Sequence, residues 1–311
     1  MTLSQMKFLD KHLGWVLCAV LSAVDGVRSV FRDRRPSPPA GDNARILLVK
    51  FWGMGSIVQC SPVFKAIRER YPRGSLQFLT LTRNREVVEM FPEVDRIYTL
   101  EIDHGPWRFL ASFLATLRNI RSSRLDIAMD LEFFTRFSAI VVYLTGAGTR
   151  VGFKAWEKWR GNLHLIGVPF NRYWHVSRNF SNLCAAVGIS VPPEPQLRQP
   201  EIREEQRISA EKILNANGLN KGKFLCVNPN SGEIALTRRW PSSGYAELTR
   251  RVVAQFPELK VVLLGSRGER EYVGAIARQV SHPNVVDLSG LLSVPEPVSY
   301  THLTLPTKRI V

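Results

Sequence analysis

The chain has 311 residues, 45% hydrophobic and 22% charged, a balance that excludes disorder over most of its length and allows two domains with cores of their own. With 42 Lys and Arg against 27 Asp and Glu, the formal charge of +15 calls for an anionic partner: nucleic acid, a phosphorylated small molecule or an acidic membrane surface. Cys18, Cys60, Cys184 and Cys226 form no Cys-x-x-Cys pair and have no histidine at ligand spacing, which excludes a zinc site or disulfide framework and fits a reducing compartment.

The first forty residues stand apart. Between Phe8 and Phe31 runs "FLDKHLGWVLCAVLSAVDGVRSVF", apolar from Leu13 to Val24 except for Gly14 and Ser22. The uninterrupted part is short of the roughly 20 apolar residues that span a bilayer, and Asp10 in a front end without a basic cluster argues against a secretory signal. The block "RDRRPSPP" that follows is basic and then proline-rich. Residues 1–40 therefore read as a helix lying on an anionic membrane surface, with Arg32, Arg34 and Arg35 at the headgroups, and a linker; a helix packed on the chain's own body is the alternative.

From Arg45 strand and helix alternate. "ILLVKF" is a strand that stops at the glycine turn Gly53-Met54-Gly55, and a helix restarts over Ser56–Tyr71. "LQFLTL" (strand), "NREVVEMF" (helix), "RIYTL" (strand), a helix near Trp107–Ile120, "LDIAMDL" (strand) and a helix near Thr135–Leu144 follow. Continuous apolar strands separated by amphipathic helices imply a parallel sheet covered on both faces, so residues 41–190 are Rossmann-like. An irregular, aromatic-rich segment comes next, "VGFKAWEKWRGNLHLIGVPFNRYWHVSRNF", and then a helical stretch to Val187.

The proline-rich "VPPEPQLRQPEIREE", from Val191, reads as an interdomain connection. Alternation resumes with "KFLCVNP", a helix over Ser242–Gln255, "KVVLLG", a helix over Glu269–Val280 and "NVVDLSG", which makes residues 191–296 a second parallel-sheet domain. Two such halves predict a cleft between the carboxyl ends of their strands. Neither Gly-x-Gly-x-x-Gly nor a Walker Gly-Lys-Ser/Thr occurs, which sets aside dinucleotide and P-loop chemistry.

The patterns "ILLVKFWGMGSIVQCSPVFKAIRERYP", "DIAMDLEFF", "TRVGF", "NPNSGEIALTRRWP", "VVLLGSRGERE" and "VVDLSGLLSVPE", in this order, resemble glycosyltransferase family 9, the heptosyltransferase-like enzymes of lipopolysaccharide core biosynthesis. The resemblance covers Arg45 to about Pro295 and implies a GT-B fold. It implies inverting, metal-independent transfer of a sugar, with ADP-heptose as co-substrate and no other cofactor, to a lipid-linked saccharide. The N-terminal domain would hold the acceptor and the second domain the nucleotide. It also implies a cytoplasmic enzyme, peripheral on the inner face of the inner membrane.

In the family the general base is an aspartate after the glycine turn, and the matching residue here is Ser56, behind Gly53 and Gly55 on the acceptor side. A serine has no proton-accepting power of its own at neutral pH. Another carboxylate serves, with Asp130 and Glu132 at a strand end as candidates; or the acceptor geometry differs; or catalysis is lost and the chain only binds a nucleotide sugar or glycolipid. On the donor side the resemblance assigns Arg238 to the donor phosphates and Glu269 to the ribose, with Asn230 and Ser231 beside them.

After "VVDLSGLLSVPE" a family member continues with further helix, strand and a donor-closing segment, whereas here "PVSYTHLTLPTKRIV" has no helical period. Residues 297–311 thus read as a non-native tail like translated sequencing-adapter bases, the second domain as incomplete, and His302 as no site residue. A nucleic-acid-binding function rests on charge alone, with only "FKAWEKWRGN" interleaving aromatic and basic residues, and nucleic acid is not an expected partner.

Overall fold

Strand β1 (Arg45–Val49) forms because four successive apolar residues are buried on both faces of a sheet, leaving only Arg45 exposed. In the computed structural model, which describes residues 3–31, 36, 38–102, 105–154, 158–192, 194–219, 223–231 and 233–298, β1 is central to a six-stranded parallel sheet. Its partners are β2 (Ser75–Leu81), β3 (Arg96–Leu100), β4 (Ile127–Asp130), β5 (Thr149–Lys154) and β6 (Ile166–Pro169), in the order β3-β2-β1-β4-β5-β6. The order reverses between β1 and β4, paired in register from Ile46↔Ile127 to Val49↔Asp130, and ligands of such sheets bind beyond the strand ends at that point.

Alternate residues of each strand build two cores. Leu47, Val49, Leu79, Leu81, Tyr98 and Ala128 face α5 (Pro106–Ser122) and α6 (Phe137–Leu144), which contribute Ile120, Val141 and Val142. On the other face Phe78 of β2 meets Phe64 of α3 (Ser61–Arg70) at 5.8 Å between ring centroids, and Phe153 of β5 meets Phe180 of α7 (Val176–Ala185) at 6.3 Å.

The expected single helix from Ser56 to Tyr71 is two: α2 (Met54–Val58) and α3, broken at Gln59–Cys60. Pro62, at the start of α3, has no N–H to give and its ring would clash with the carbonyl four residues back. The "NREVVEMF" helix shrinks to a 3-10 turn, Thr82–Asn84, and α4 (Arg85–Glu89). The aromatic-rich segment expected to be irregular contains the last four residues of β5 and all of β6.

The chain divides into two compact units, Met1–Glu201 and Ile202–Val311. The first part of the proline-rich stretch is bonded to the first unit: Arg198 N donates to Ser61 Oγ, Glu201 N to Met90 O, and the Arg198 guanidinium pairs with Glu93 at 2.6 Å. The second unit opens with α8 (Glu204–Ala216), a helix outside the sequence-based element list. It continues as a three-stranded parallel sheet, β7 (Phe224–Val227), β8 (Lys260–Leu263) and β9 (Val285–Asp287), flanked by α9 (Ser242–Gln255) and α10 (Arg270–Val280).

The N-terminal segment is one helix, α1 (Leu3–Phe31). Its stretch Gln5–Val30 is, by length and composition, long and apolar enough to cross a membrane, against the expectation drawn from the uninterrupted apolar run. Arg32, Arg34, Arg35 and the tail from Ser299, His302 included, lie outside the described residues.

Candidate active site

At the switch point β1 is followed by Lys50, whose side chain is buried, and the chain turns through Phe51, Trp52 and Gly53. Gly53 has φ +83°, a left-handed conformation that favours glycine, and a Cβ there would stand 2.8 Å from Ser56 Oγ. That hydroxyl donates to Gly53 O at 2.7 Å and to Trp52 O at 3.1 Å, so Ser56 braces the turn. A Cβ on Gly55 would meet nothing within 4 Å, so the space above the second glycine is open. Arg83, beyond β2, lies 5.0 Å over the Trp52 ring, and Met54 is exposed.

Asp130 and Glu132 are both fully buried. Glu132 Oε1 accepts from Phe51 N and Trp52 N, each at 2.8 Å, and stands 3.3 Å from Lys50 Nζ. Asp130 Oδ1 accepts from Glu132 N at 3.0 Å; its Oδ2 accepts from Ser138 Oγ at 3.0 Å and lies 3.1 Å from His164 Nε2 and 3.5 Å from an Arg160 nitrogen. The same Arg160 nitrogen donates to Glu132 O at 2.8 Å. Gly152 of β5 makes room for His164, since a Cβ there would sit 2.5 Å from the imidazole. Glu132 thus holds the turn from beneath and Asp130 holds Glu132; a Cβ on Gly55 would meet neither carboxylate within 4 Å, and in this cluster Glu132 Oε2 and Arg160 Nε and Nη2 are buried without a hydrogen-bond partner among the described residues. Cys60 lies close to Lys50 and Glu132, and burial holds its thiol far above the ordinary range.

The second unit carries its polar residues at the carboxyl ends of β7, β8 and β9. Asn230 Nδ2 donates to Leu264 O at 3.0 Å and to Asn228 Oδ1 at 2.9 Å, which turns its Oδ1 away from both. Gly265 stands between Asn230 and Ser289: a Cβ on it would fall 3.0 Å from Asn230 Nδ2 and 3.4 Å from Ser289 Cβ. Asn230 Oδ1, Ser231 Oγ, Ser289 Oγ and Arg239 Nε are buried without a hydrogen-bond partner among the described residues. Such atoms are rare in a folded chain, and together at strand ends they form an unfilled set of donors and acceptors.

Glu269 Oε2 accepts from Ser266 N at 2.9 Å and from Ser266 Oγ at 2.7 Å, while its Oε1 lies 3.9 Å from Arg239. The Arg239 guanidinium is 4.2 Å over the Tyr272 ring, and Tyr272 donates its phenolic hydrogen to Trp240 O at 2.8 Å. Arg238, the arginine singled out by resemblance, ends a 3-10 turn (Glu233–Arg238) and is exposed. Sequence reasoning chose Arg238 over Arg239 and did not name Ser289 or Tyr272 here, nor Lys50, Arg160 and His164 in the first unit. Lys50 alone left a signal, a charge closing an otherwise apolar strand. Among the described residues no group of three or more His, Cys, Asp or Glu is arranged to hold a metal ion.

The sequence profile of glycosyltransferase family 9 (heptosyltransferase) matches residues 113–299. Lipopolysaccharide heptosyltransferase 2 of Escherichia coli (strain K12) is 23% identical over 231 residues, 73% of this chain and 65% of that protein. Lipooligosaccharide heptosyltransferase 2 of Haemophilus ducreyi is 20% identical over 235 residues, 73% of this chain and 64% of that protein. The matches thus span just under two thirds of these curated relatives. Among solved structures, a family 9 glycosyl transferase from Veillonella parvula superposes with TM-score 0.70 at 16% identity, covering 84% of this chain and 73% of that one. E. coli ADP-heptose lipopolysaccharide heptosyltransferase II superposes with TM-score 0.65 at 18% identity (84% and 77%). An E. coli heptosyltransferase solved with ADP-2-deoxy-2-fluoro heptose does so with TM-score 0.62 at 16% identity (84% and 80%). These likenesses show the fold, α/β of the GT-B kind with a small second sheet.

Proposed function

The chain belongs to glycosyltransferase family 9, and on that premise we propose that it transfers a heptose from ADP-heptose to a lipid-linked saccharide of the lipopolysaccharide inner core, at the inner face of the inner membrane. The observation that carries this reading is the set of unpartnered polar atoms in the second unit: Asn230 Oδ1, Ser231 Oγ, Ser289 Oγ and Arg239 Nε, with Glu269 held beside them by Ser266. A nucleoside diphosphate supplies what this set lacks: phosphate oxygens for the hydroxyls and guanidinium, and ribose hydroxyls for the carboxylate. Exposed Arg238 closes on the diphosphate from the loop.

In the reaction an acceptor hydroxyl attacks the anomeric carbon, the C1–O bond to the diphosphate breaks with inversion, and the hydroxyl proton leaves to water or a base. Arg238 and Arg239 stabilise the charge that develops on the departing diphosphate, without a metal. Ser56 Oγ, already donating to Gly53 O, keeps its lone pairs and accepts a hydrogen bond from the acceptor hydroxyl, which it orients. Asp130 and Glu132 fix the turn that presents Ser56.

Calorimetric titration of the protein with ADP tests the donor half. Binding of ADP that Ser231→Ala and Arg239→Ala each weaken supports it; no binding, or binding indifferent to both, overturns it. The second reading, a silent nucleotide-sugar or glycolipid-binding protein, is favoured by Ser56 at the base position. A mass-spectrometric transfer assay with ADP-heptose and a heptose-free lipid acceptor separates the two: product favours the transferase, ADP-heptose binding without product the silent protein.

A further inference from the structure

Helix α1 has two different sides. Along one, Asp10, Gly14, Cys18, Ser22 and Asp25 recur at three- to four-residue spacing and meet the first unit. Asp10 Oδ1 accepts from the backbone N–H of Arg136 and Phe137, at 2.8 and 2.9 Å, and so caps α6. Gly14 lets the helices approach: a Cβ on it would lie 3.2 Å from Arg136 Cβ. Cys18 is fully buried among Ala139, Ile140, Tyr143 and Leu163. Ser22 Oγ accepts from Asn162 N at 3.1 Å, over Gly161, whose φ is +62° and where a Cβ would fall 1.8 Å from that oxygen. Asp25 pairs with Arg150 at 3.5 Å, both side chains under a tenth exposed.

The opposite side is apolar and open. Leu13 is 52% exposed, Val16 48%, Val20 53% and Val27 63%, and no exposed residue between Leu13 and Val27 is charged. Lys7 and Lys11 precede the strip along the axis and Arg28 follows it; all three are exposed and continue the three- to four-residue spacing of the docked side. Half-exposed Trp15 pairs with half-exposed Trp159 at 5.8 Å, which adds an indole pair of the kind that settles at headgroup level.

We propose that α1, docked on the first unit as seen here, is a membrane blade that lies in the surface of an anionic bilayer and buries only its outer strip. Charge selects this occupant: the strip itself carries no charge, the exposed cations nearest it along the helix are Lys7, Lys11 and Arg28, and the chain's net charge is +15. The inner side excludes a crossing helix. From Asp10 to Asp25 it is bonded to α6, to residues 161–162 and to Arg150 over about 22 Å of helix, so spanning would drag these into hydrocarbon or strip Arg150 of Asp25. The proposal rests on the lipid-linked acceptor above, but its test needs no substrate.

The intact chain is sedimented with phosphatidylcholine vesicles containing or lacking phosphatidylglycerol. Binding is expected to the anionic vesicles, weakening with salt. The double variant Val16→Glu/Val20→Glu should lower that binding by about tenfold or more, since each carboxylate opposes insertion, while the melting profile and ADP titration stay as in the parent. In cells, alkaline carbonate should extract the protein. Indifference of the variant, no preference for anionic lipid, resistance to carbonate, or a dimer in light scattering that the double variant dissolves would each overturn the blade. Loss of ADP binding in the parent would sink the donor reading and leave the blade standing.

Discussion

Removing the Glu132 carboxylate should destabilise the first unit more than any other change at the glycine turn. Its Oε1 serves three donors, the Phe51 and Trp52 amides at 2.8 Å and the Lys50 ammonium at 3.3 Å, and neither Lys50 nor Glu132 touches solvent. Glu132→Ala strands a buried ammonium and two amides, and breaking a buried pair in this way costs about 3–5 kcal/mol. That is a large part of the 5–15 kcal/mol that typically separates folded from unfolded. Glu132→Gln keeps an oxygen for both amides and loses only the charge, so about 1–3 kcal/mol is expected. The assay is urea unfolding followed by circular dichroism, with a probe in each unit because two units need not melt together. Lys50→Met completes a double-mutant cycle: in the Glu132→Ala background it should recover about 1–3 kcal/mol, because the stranded charge has gone. If Glu132→Ala cost under about 1 kcal/mol, or Lys50→Met were equally harmful in both backgrounds, the pair would not be what holds the turn.

Ser56→Asp must turn its carboxylate away from Gly53 O, where the serine donates at 2.7 Å, into the open space over Gly55; a base there should raise the transfer rate about 10²- to 10⁴-fold, read by product mass, and an unchanged rate would show that proton removal is not what Ser56 limits. Arg239→Ala should weaken ADP binding by about 1.5–3 kcal/mol, the range for a charged hydrogen bond, and Arg238→Ala by under about 1; titration in the reverse order would restore the sequence-based choice of Arg238. Burial pushes the Cys18 thiol from 9.0 up to about 11 and the Cys184 thiol up to about 12. Their contribution to stability is full below pH 9 and is lost as pH rises through 11 to 12, because the unfolded thiols ionise first. The urea midpoint should fall with pH above 9 and Ellman's reagent should leave both thiols untouched at neutral pH; prompt labelling would contradict the burial.

What could be read from the sequence is what periodicity encodes. β1, β2, β4 and β8 are apolar runs, and α9 falls at Ser242–Gln255 as its 3.6-residue pattern requires. β5 escaped because Arg150 and Gly152 interrupt its apolar run: the arginine is buried against Asp25, and the glycine makes room for His164. β6 escaped because Pro169 speaks against a strand except at a sheet edge, where it lies. The turn at Gly53 and the carboxylates behind β4 were visible as residues, but their roles were not. Whether Glu132 faces an acceptor or a lysine depends on Lys50, 82 positions away, and Asp130 depends on Ser138, Arg160 and His164. Arg238 and Arg239 are neighbours in a loop, where no period says which one turns inward.

The contacts of α1 also reach further than its own docking. Asp10 caps Arg136 and Phe137, the Arg136 Nε donates to Trp159 O at 3.0 Å, and Ser22 receives Asn162 N, so α1 holds both sides of Arg160. Arg160 donates to Glu132 O, and the Glu132 carboxylate holds the amides of Phe51 and Trp52. Helix α1 and the glycine turn are therefore the two ends of one bonded set within the first unit. Proximity alone does not establish coupling; an effect of one end on the other does. Gly161→Ala is the direct perturbation, since a methyl group there falls 1.8 Å from Ser22 Oγ on a backbone with φ +62° and must push residues 161–162 off α1. Loosening Arg160 by about 1–2 kcal/mol should speed hydrogen–deuterium exchange in the peptide over residues 50–56 about 5- to 30-fold. A peptide over β3, at the far edge of the sheet, should keep its rate. Equal acceleration in both would mean that the substitution merely lowers global stability, and no change at the turn would mean that α1 and the glycine turn are independent.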